Sequence, residues 1–377
     1  MKNSVVIRAL ALAFLACLAA PGSAAELIPK QTVEDGETPP TEPSLKAPSD
    51  WVFMPIPVSN PSVGTGLAVA GLHLFPFGGA SQPSLFGLGA AVTDNGTWIA
   101  GGGSQLRFDE DRWRVTFGGA AAGIHSDFYG IGESAGDAGQ SIPIVMRTDA
   151  AIASALRRVG PGFYAGAGLR YSSTTTTFDG EVPPGPLNDL ISQGLTITTV
   201  GIGLIGQYDT RDNSFGPRTG SFASVKFYRF DEALGSDVNY EKTDAFWNQY
   251  FGIGKYGVIA ARISFCDAAE DAPFFDLCQF GQSNDLRGYV SGRYRDHAMY
   301  AAQAEYRTPF IHRFGAVVFG GFGAVAPGWG GFGADILKSA GAGVRYLASE
   351  KNRVTLSVDY AHAQGEDAWY FYIGDAF

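Results

Sequence analysis

The chain has 377 residues, a formal net charge of −10, 17% charged residues, 13% aromatic residues and 51 glycines. An acidic balance with no basic stripe to meet phosphates excludes nucleic acid as a partner. No apolar run after the N-terminal region is long enough to cross a bilayer as a helix, so a membrane would have to be crossed with strands.

Taken in chain order, Lys2 and Arg8 precede the apolar run Ala9 to Ala20, and the small residues Gly22-Ser23-Ala24-Ala25 follow. This grammar predicts a signal peptide over 1–25, with lipid attachment at Cys17 as the lesser alternative. Residues 26–50 are rich in Pro, Thr and Glu without periodicity and predict a flexible periplasmic tail. From Trp51 onward, strand-like segments alternate with turn signals. Strands are expected at 51–57, 64–75, 85–93, 97–107, 112–126, 142–158, 161–173 and 194–208. The second half predicts 219–230, 240–252, 256–266, 295–307, 313–326, 339–347, 352–362 and 368–377.

Period two is clearest near the C-terminus. Ala298, Tyr300, Ala302, Ala304 and Tyr306 suit lipid, whereas His297, Gln303, Glu305 and Arg307 suit a wet interior. Val354, Leu356, Val358 and Tyr360 likewise oppose Arg353, Thr355, Ser357 and Asp359. The expected fold is all-β: a 16-stranded antiparallel transmembrane β-barrel over 51–377 in a bacterial outer membrane, in contact with its lipid. A soluble β-sandwich or propeller is the alternative. An even strand number places both barrel ends on the periplasmic side. The long connections 127–141, 174–193, 231–239, 267–294 and 327–338 then all fall on the external side.

Pro55 and Pro57 remove two ladder donors from the first segment, so it can pair well on one side at most. It either tucks inward and barely pairs, or forms a weak seam against 368–377 that can open sideways.

Chemistry for catalysis is sparse. His125-Ser126-Asp127 are adjacent, but neighbours on a strand point to opposite faces. Asp109-Glu110-Asp111 reads as a solvated turn, and neither a metal, a cofactor nor an enzyme activity is expected. Cys266 and Cys278 would survive export and could form a disulfide at the start of loop 267–294, with two free thiols as the alternative.

Three segments resemble the BamA/TamA-type outer-membrane assembly family, also called the bacterial surface antigen family. Tyr208-Asp209-Thr210-Arg211-Asp212-Asn213, followed by Pro217 and Gly220, resembles its Y-D-T-R-D-N…P…G turn. Asp and Asn bond their own backbone in tight turns, Pro presets φ and Gly permits positive φ. Arg211, between two carboxylates, could also order the periplasmic mouth. Asp285-Leu286-Arg287-Gly288-Tyr289 resembles the V-R-G-F/Y motif, whose loop folds into the lumen and docks its Arg on the wall. Glu305, in Ala304-Glu305-Tyr306-Arg307, matches the E-x-R pattern, and Asp359 faces inward by parity. Gly321 stands where the family commonly carries an Asp partner for that Arg. Gly341 to Tyr346 and Asp359-Tyr360 resemble the family's closing strands. Trp369, Phe371 and Ile373, with Phe377 completing the register, resemble the C-terminal signal read by the barrel-assembly machinery during biogenesis.

The resemblance covers 51–377 and implies a branch without periplasmic POTRA modules. It implies loop 267–294 folded into the lumen, and assistance in inserting or translocating client outer-membrane or surface proteins. The alternatives are a passive, porin-like channel and a structural surface antigen.

Overall fold

The computed structural model describes residues 50–377 apart from 61–62, 81–83, 180–193, 214–215, 282–283, 334 and 350–353. The expected signal peptide, and the tail as far as residue 49, lie outside the described residues. The first half contains β1 (Asp50–Asn60), β2 (Gly64–Phe75), β3 (Ser84–Thr93), β4 (Trp98–Phe108), β5 (Trp113–Phe128), β6 (Ile142–Gly160), β7 (Phe163–Phe178) and β8 (Leu195–Asp209). The second contains β9 (Gly220–Phe230), β10 (Tyr240–Gly252), β11 (Val258–Ala268), β12 (Cys278–Gln279), β13 (Arg295–Asp296), β14 (Ala298–Arg307), β15 (Phe314–Ala326), β16 (Leu337–Ser349), β17 (Val354–Ala363) and β18 (Glu366–Ile373).

Sixteen of these form one antiparallel sheet in chain order, with β11 paired directly to β14. The two-residue strands β12 and β13 pair only with each other, inside the connection between β11 and β14. The sheet curls until β1 and β18 adjoin, giving the expected 16-stranded barrel.

The barrel inverts the layering of a soluble protein. Leu169, Ile202, Leu204, Trp247 and Val318 are exposed on the outside, where lipid replaces water. Thr174, Thr199, Ser224, Asn248, Gln303 and Arg345 are buried on the inside. Alternation on β14 follows the expected parity, with Gln303, Glu305 and Arg307 buried and Ala304 and Tyr306 exposed. Long connections gather at one rim, including the one that carries the short helix α1 (Glu133–Ala138).

The first strand corrects one expectation. β1 does not tuck away: it pairs with β2 without a break from Asp50↔Leu74 to Asn60↔Gly64. Residues two apart direct their main-chain groups to the same edge, so Pro55 and Pro57 lack donors on one edge only. Continuous pairing with β2 puts that edge opposite β18. Among the described residues β1 and β18 lie side by side with no hydrogen-bonded ladder between them.

The connection 269–297 folds into the barrel and builds its own apolar core against the wall. Phe280, Leu286, Tyr289 and Tyr294 pack with Met299, Val325 and Leu337. α1 covers it from outside: Arg293 Nε donates to the Gly136 carbonyl at 2.9 Å, and the Tyr294 hydroxyl donates to Asp137 Oδ1 at 2.9 Å.

Candidate functional site

Arg287 sits at the tip of this inserted loop and is completely buried. Its Nη1 donates to Asp359 Oδ2 and its Nη2 to Glu305 Oε2, both at 2.7 Å, and its Nε reaches Gln303 Oε1 at 3.3 Å. Its guanidinium carbon lies 3.4 Å from the centre of the Phe319 ring. All three guanidinium nitrogens therefore donate, and the planar fork stacks on an aromatic, an arrangement a lysine cannot copy.

The two carboxylates are shared onward. Arg307 Nε donates to Glu305 Oε1 at 2.7 Å, and Arg345 Nη1 to Asp359 Oδ1 at 2.5 Å. Asp375 closes the chain, 2.9 Å from Arg307 and 3.1 Å from Arg345. Three arginines and three carboxylates thus alternate in a network of no net charge. The Tyr372 hydroxyl donates to Asp359 as well. Burying charges is tolerable only when they are paired in this way.

The residues beside Arg287 explain its placement. Gly288 has a φ of 117°, its N–H donates to the Tyr370 hydroxyl at 2.9 Å, and a Cβ there would meet the Ala363 methyl at 2.8 Å. The Tyr289 hydroxyl donates to the Lys338 carbonyl at 2.8 Å, and burial pushes this phenol up to about 12, which keeps it a donor. The Val290 N–H donates to Glu366 Oε2 at 2.8 Å, and Glu366 also pairs with Arg293.

Gly321 takes on a definite role. A Cβ at this position would lie 2.6 Å from the Ala302 carbonyl, 2.6 Å from Gln303 Cγ and 2.9 Å from a Leu286 methyl. The space an aspartate would need is filled by the loop and by Gln303, and Glu305 and Asp359 carry the docking in its place. Cys266 and Cys278 form a disulfide with Cα atoms 5.7 Å apart, fastening the loop's descending arm to the end of β11.

The Omp85 superfamily domain matches residues 104–377. The chain belongs to the Omp85 superfamily. Its fold is similar to that of BamA from Haemophilus ducreyi lacking POTRA domains 1–3, with a TM-score of 0.56 at 16% identity, covering 86% of this chain and 69% of that one. CdiB from Acinetobacter baumannii gives a TM-score of 0.55 at 11% identity, with 86% of this chain and 59% of that one covered. CdiB from Escherichia coli gives 0.55 at 11%, with 85% and 61% covered. The chain therefore spans about three fifths of the CdiB chains. No curated protein matches it.

The second Omp85-like segment, the turn after β8, is built by its side chains. Asp212 Oδ1 accepts from the N–H groups of Arg218 and Thr219 at 2.8 and 3.1 Å, and Asn213 Oδ1 from Gly216 at 3.0 Å. Pro217 is buried, and Gly220 has a φ of 96°, where a Cβ would strike the Thr210 carbonyl. Of the two carboxylates flanking Arg211, Asp212 is taken by the backbone. Arg211 pairs with Asp209 at 2.9 Å and lies over Phe222. Asp209 is in turn 3.5 Å from Arg114, whose main partner is Asp111 at 2.7 Å. Asp111 is therefore no solvated turn residue: burial opposes its charge, but Arg114 holds its carboxyl below the usual range.

The C-terminal segment also differs from expectation. Trp369 and Ile373 are exposed outward and Phe371 is half-buried, as alternation requires. Phe377 does not complete the register, because β18 ends at Ile373 and Gly374 turns the chain at a φ of 90°. Phe377 packs inside against Tyr250, Val258 and Ala260, and its carbonyl accepts from Arg307 Nη2 at 2.6 Å. His125 bonds Asp179 at 2.9 Å, whereas Asp127 bonds Ser141, so the adjacent trio does not converge.

Sequence reasoning missed Gln303, Arg307, Arg345, Tyr370, Tyr372 and Asp375 as members of the site. Inward parity was a usable signal for those on β14 and β16. It could not say which inward groups touch the loop.

Proposed function

We propose that the chain assists the insertion or translocation of outer-membrane or surface proteins, working from the outer membrane through the seam between β1 and β18, and that it is not an enzyme. The observation that carries this reading is the seam: two adjoining edge strands with no ladder between them among the described residues, one of them missing two donors at Pro55 and Pro57. An incoming strand could pair there by adding to an open edge, with main-chain hydrogen bonds as the driving contacts. Membership of the Omp85 superfamily supports the reading. The docked loop counts against a passive channel, because it occupies part of the lumen through which solutes would pass.

The test is reconstitution in liposomes with an unfolded outer-membrane protein, comparing the free barrel with one whose β1 and β18 are joined by an engineered cysteine pair. The free barrel is expected to speed client folding several-fold over empty liposomes, and the cross-linked barrel to lose that gain until reduced in the cross-link alone. Equal rates with and without the cross-link would overturn a role for the seam.

A further inference from the structure

Beside the inserted loop the lumen keeps a cavity of about 520 Å³, walled by strands between β3 and β14 and by the loop itself. Several cations face it, and their partners can be accounted for. Arg114 is held by Asp111 and Asp209, and Arg170 and Lys242 share Asp276 at 3.1 and 2.9 Å. Two cations of the wall make no ion pair among the described residues, although the carboxylates of Asp244 and Asp285 line the same cavity. Arg262 of β11 donates from Nη1 to Asn248 Oδ1 at 2.8 Å, while its Nε is buried with no hydrogen bond. Lys226 of β9 makes no hydrogen bond or ion pair among the described residues. Its cross-strand neighbour is Asp244, which lines the same cavity.

A third group points the same way. Ser224, two residues along β9 on the same face as Lys226, has its hydroxyl buried with no partner. All three side chains line the one cavity. A buried donor left unpaired is costly, and the Ser224 hydroxyl and Arg262 Nε are both buried without a hydrogen bond among the described residues, beside the half-buried Lys226, which makes this polar space a site for an acceptor. The volume lies within the range of small-molecule sites, about 300–1,000 Å³, and is far too small for a folded chain.

We propose that this chamber binds a small oxyanion, of the phosphate or carboxylate class, between Lys226, Arg262 and Ser224. The two cations would supply charge-assisted bonds, and Ser224 a neutral donor at the wall. The site is separate from the Arg287 network and does not depend on the assembly reading, since a static ligand needs no opening of the seam.

The experiment is calorimetric titration of the purified full barrel with inorganic phosphate in a chloride buffer, with sodium chloride at matched ionic strength as the control. Saturable one-site heat is expected for phosphate, and Lys226→Gln with Arg262→Gln should weaken it by more than about tenfold, the loss expected for one strong charged contact. Correct folding of the variant is read from its heat-shifted electrophoretic mobility. Should the pair fail to fold, Lys226→Met alone carries the test, with a loss of about tenfold expected. Heat no different from the chloride control, or an affinity unchanged in a folded variant, overturns the proposal. Client folding by the wild-type barrel is measured in parallel and is expected to be indifferent to phosphate, so that failure of one reading leaves the other standing.

Discussion

Arg287 is the residue on which the inserted loop hangs, and its contacts dictate what a substitution does. Arg287→Ala removes the shared cation between Glu305 and Asp359 and leaves both buried carboxylates short of a partner. A broken buried pair costs about 3–5 kcal/mol, more than a short loop's apolar contacts can absorb without moving. The loop is expected to undock, raising single-channel conductance in a planar bilayer. Arg287→Lys should resemble the alanine variant more than the wild type, because an ammonium cannot hold two carboxylates and stack on Phe319. Unchanged conductance in both would remove the loop's claim to be held by this residue. Gly321 supplies the converse test. Gly321→Asp inserts a side chain where Gln303 and Leu286 already sit, and should destabilise the docked loop by about 1–3 kcal/mol although it adds a carboxylate beside Arg287. Faster proteolysis within 280–294 would report it.

At the scale of elements, the inserted connection is held at its tip and at its descending arm. The tip is fixed by Arg287, and the descending arm by Cys266–Cys278 and by Asp276. Burial opposes the charge of Asp276, but Arg170 and Lys242 outweigh it and hold its carboxyl well below the usual carboxylate range. A depressed folded-state value means stability that is complete above the ordinary aspartate value of about 3.9 and is lost as pH falls below it. The wild-type melting temperature should therefore drop more steeply below about pH 4 than that of Asp276→Asn, with the two curves running parallel above about pH 5. This arm was not legible in the sequence, since a loop has no period and nothing in Phe274-Phe275-Asp276 names its partners on β7 and β10. The strands were legible because each must show lipid one face and water the other. Glu305 and Asp359 could be placed inward by that parity alone. Phe377 could not, because alternation gives no warning that Gly374 ends the strand and sends the last residues into the lumen.

For the whole molecule, the barrel combines a loosely joined seam with a tightly fastened interior. Fifteen consecutive strand pairs carry ladders, and the sixteenth contact, between β1 and β18, carries none among the described residues. The contact without a ladder runs along one line of the wall, while the loop holds β11, β14, β16 and β17 together from inside. Opening that line would leave the Arg287 network largely intact on one side of the gap, because its members sit on β14, β16 and β17 and on the segment that follows them. The count of strands and their order were readable from turn spacing; the missing ladder was only half readable, since proline marks an edge without saying which neighbour it faces.

The route of the ion network also bears on timing. Arg287 belongs to a loop that precedes five strands of the barrel, yet Gly288 is held by Tyr370, Arg307 by Asp375 and Phe377, and Asp359 by Tyr372. The loop can be made long before the groups that receive it arrive. The full set of groups that hold the plug is therefore assembled only when the final strand is in place, and a barrel stalled short of that step would lack part of its own fastening.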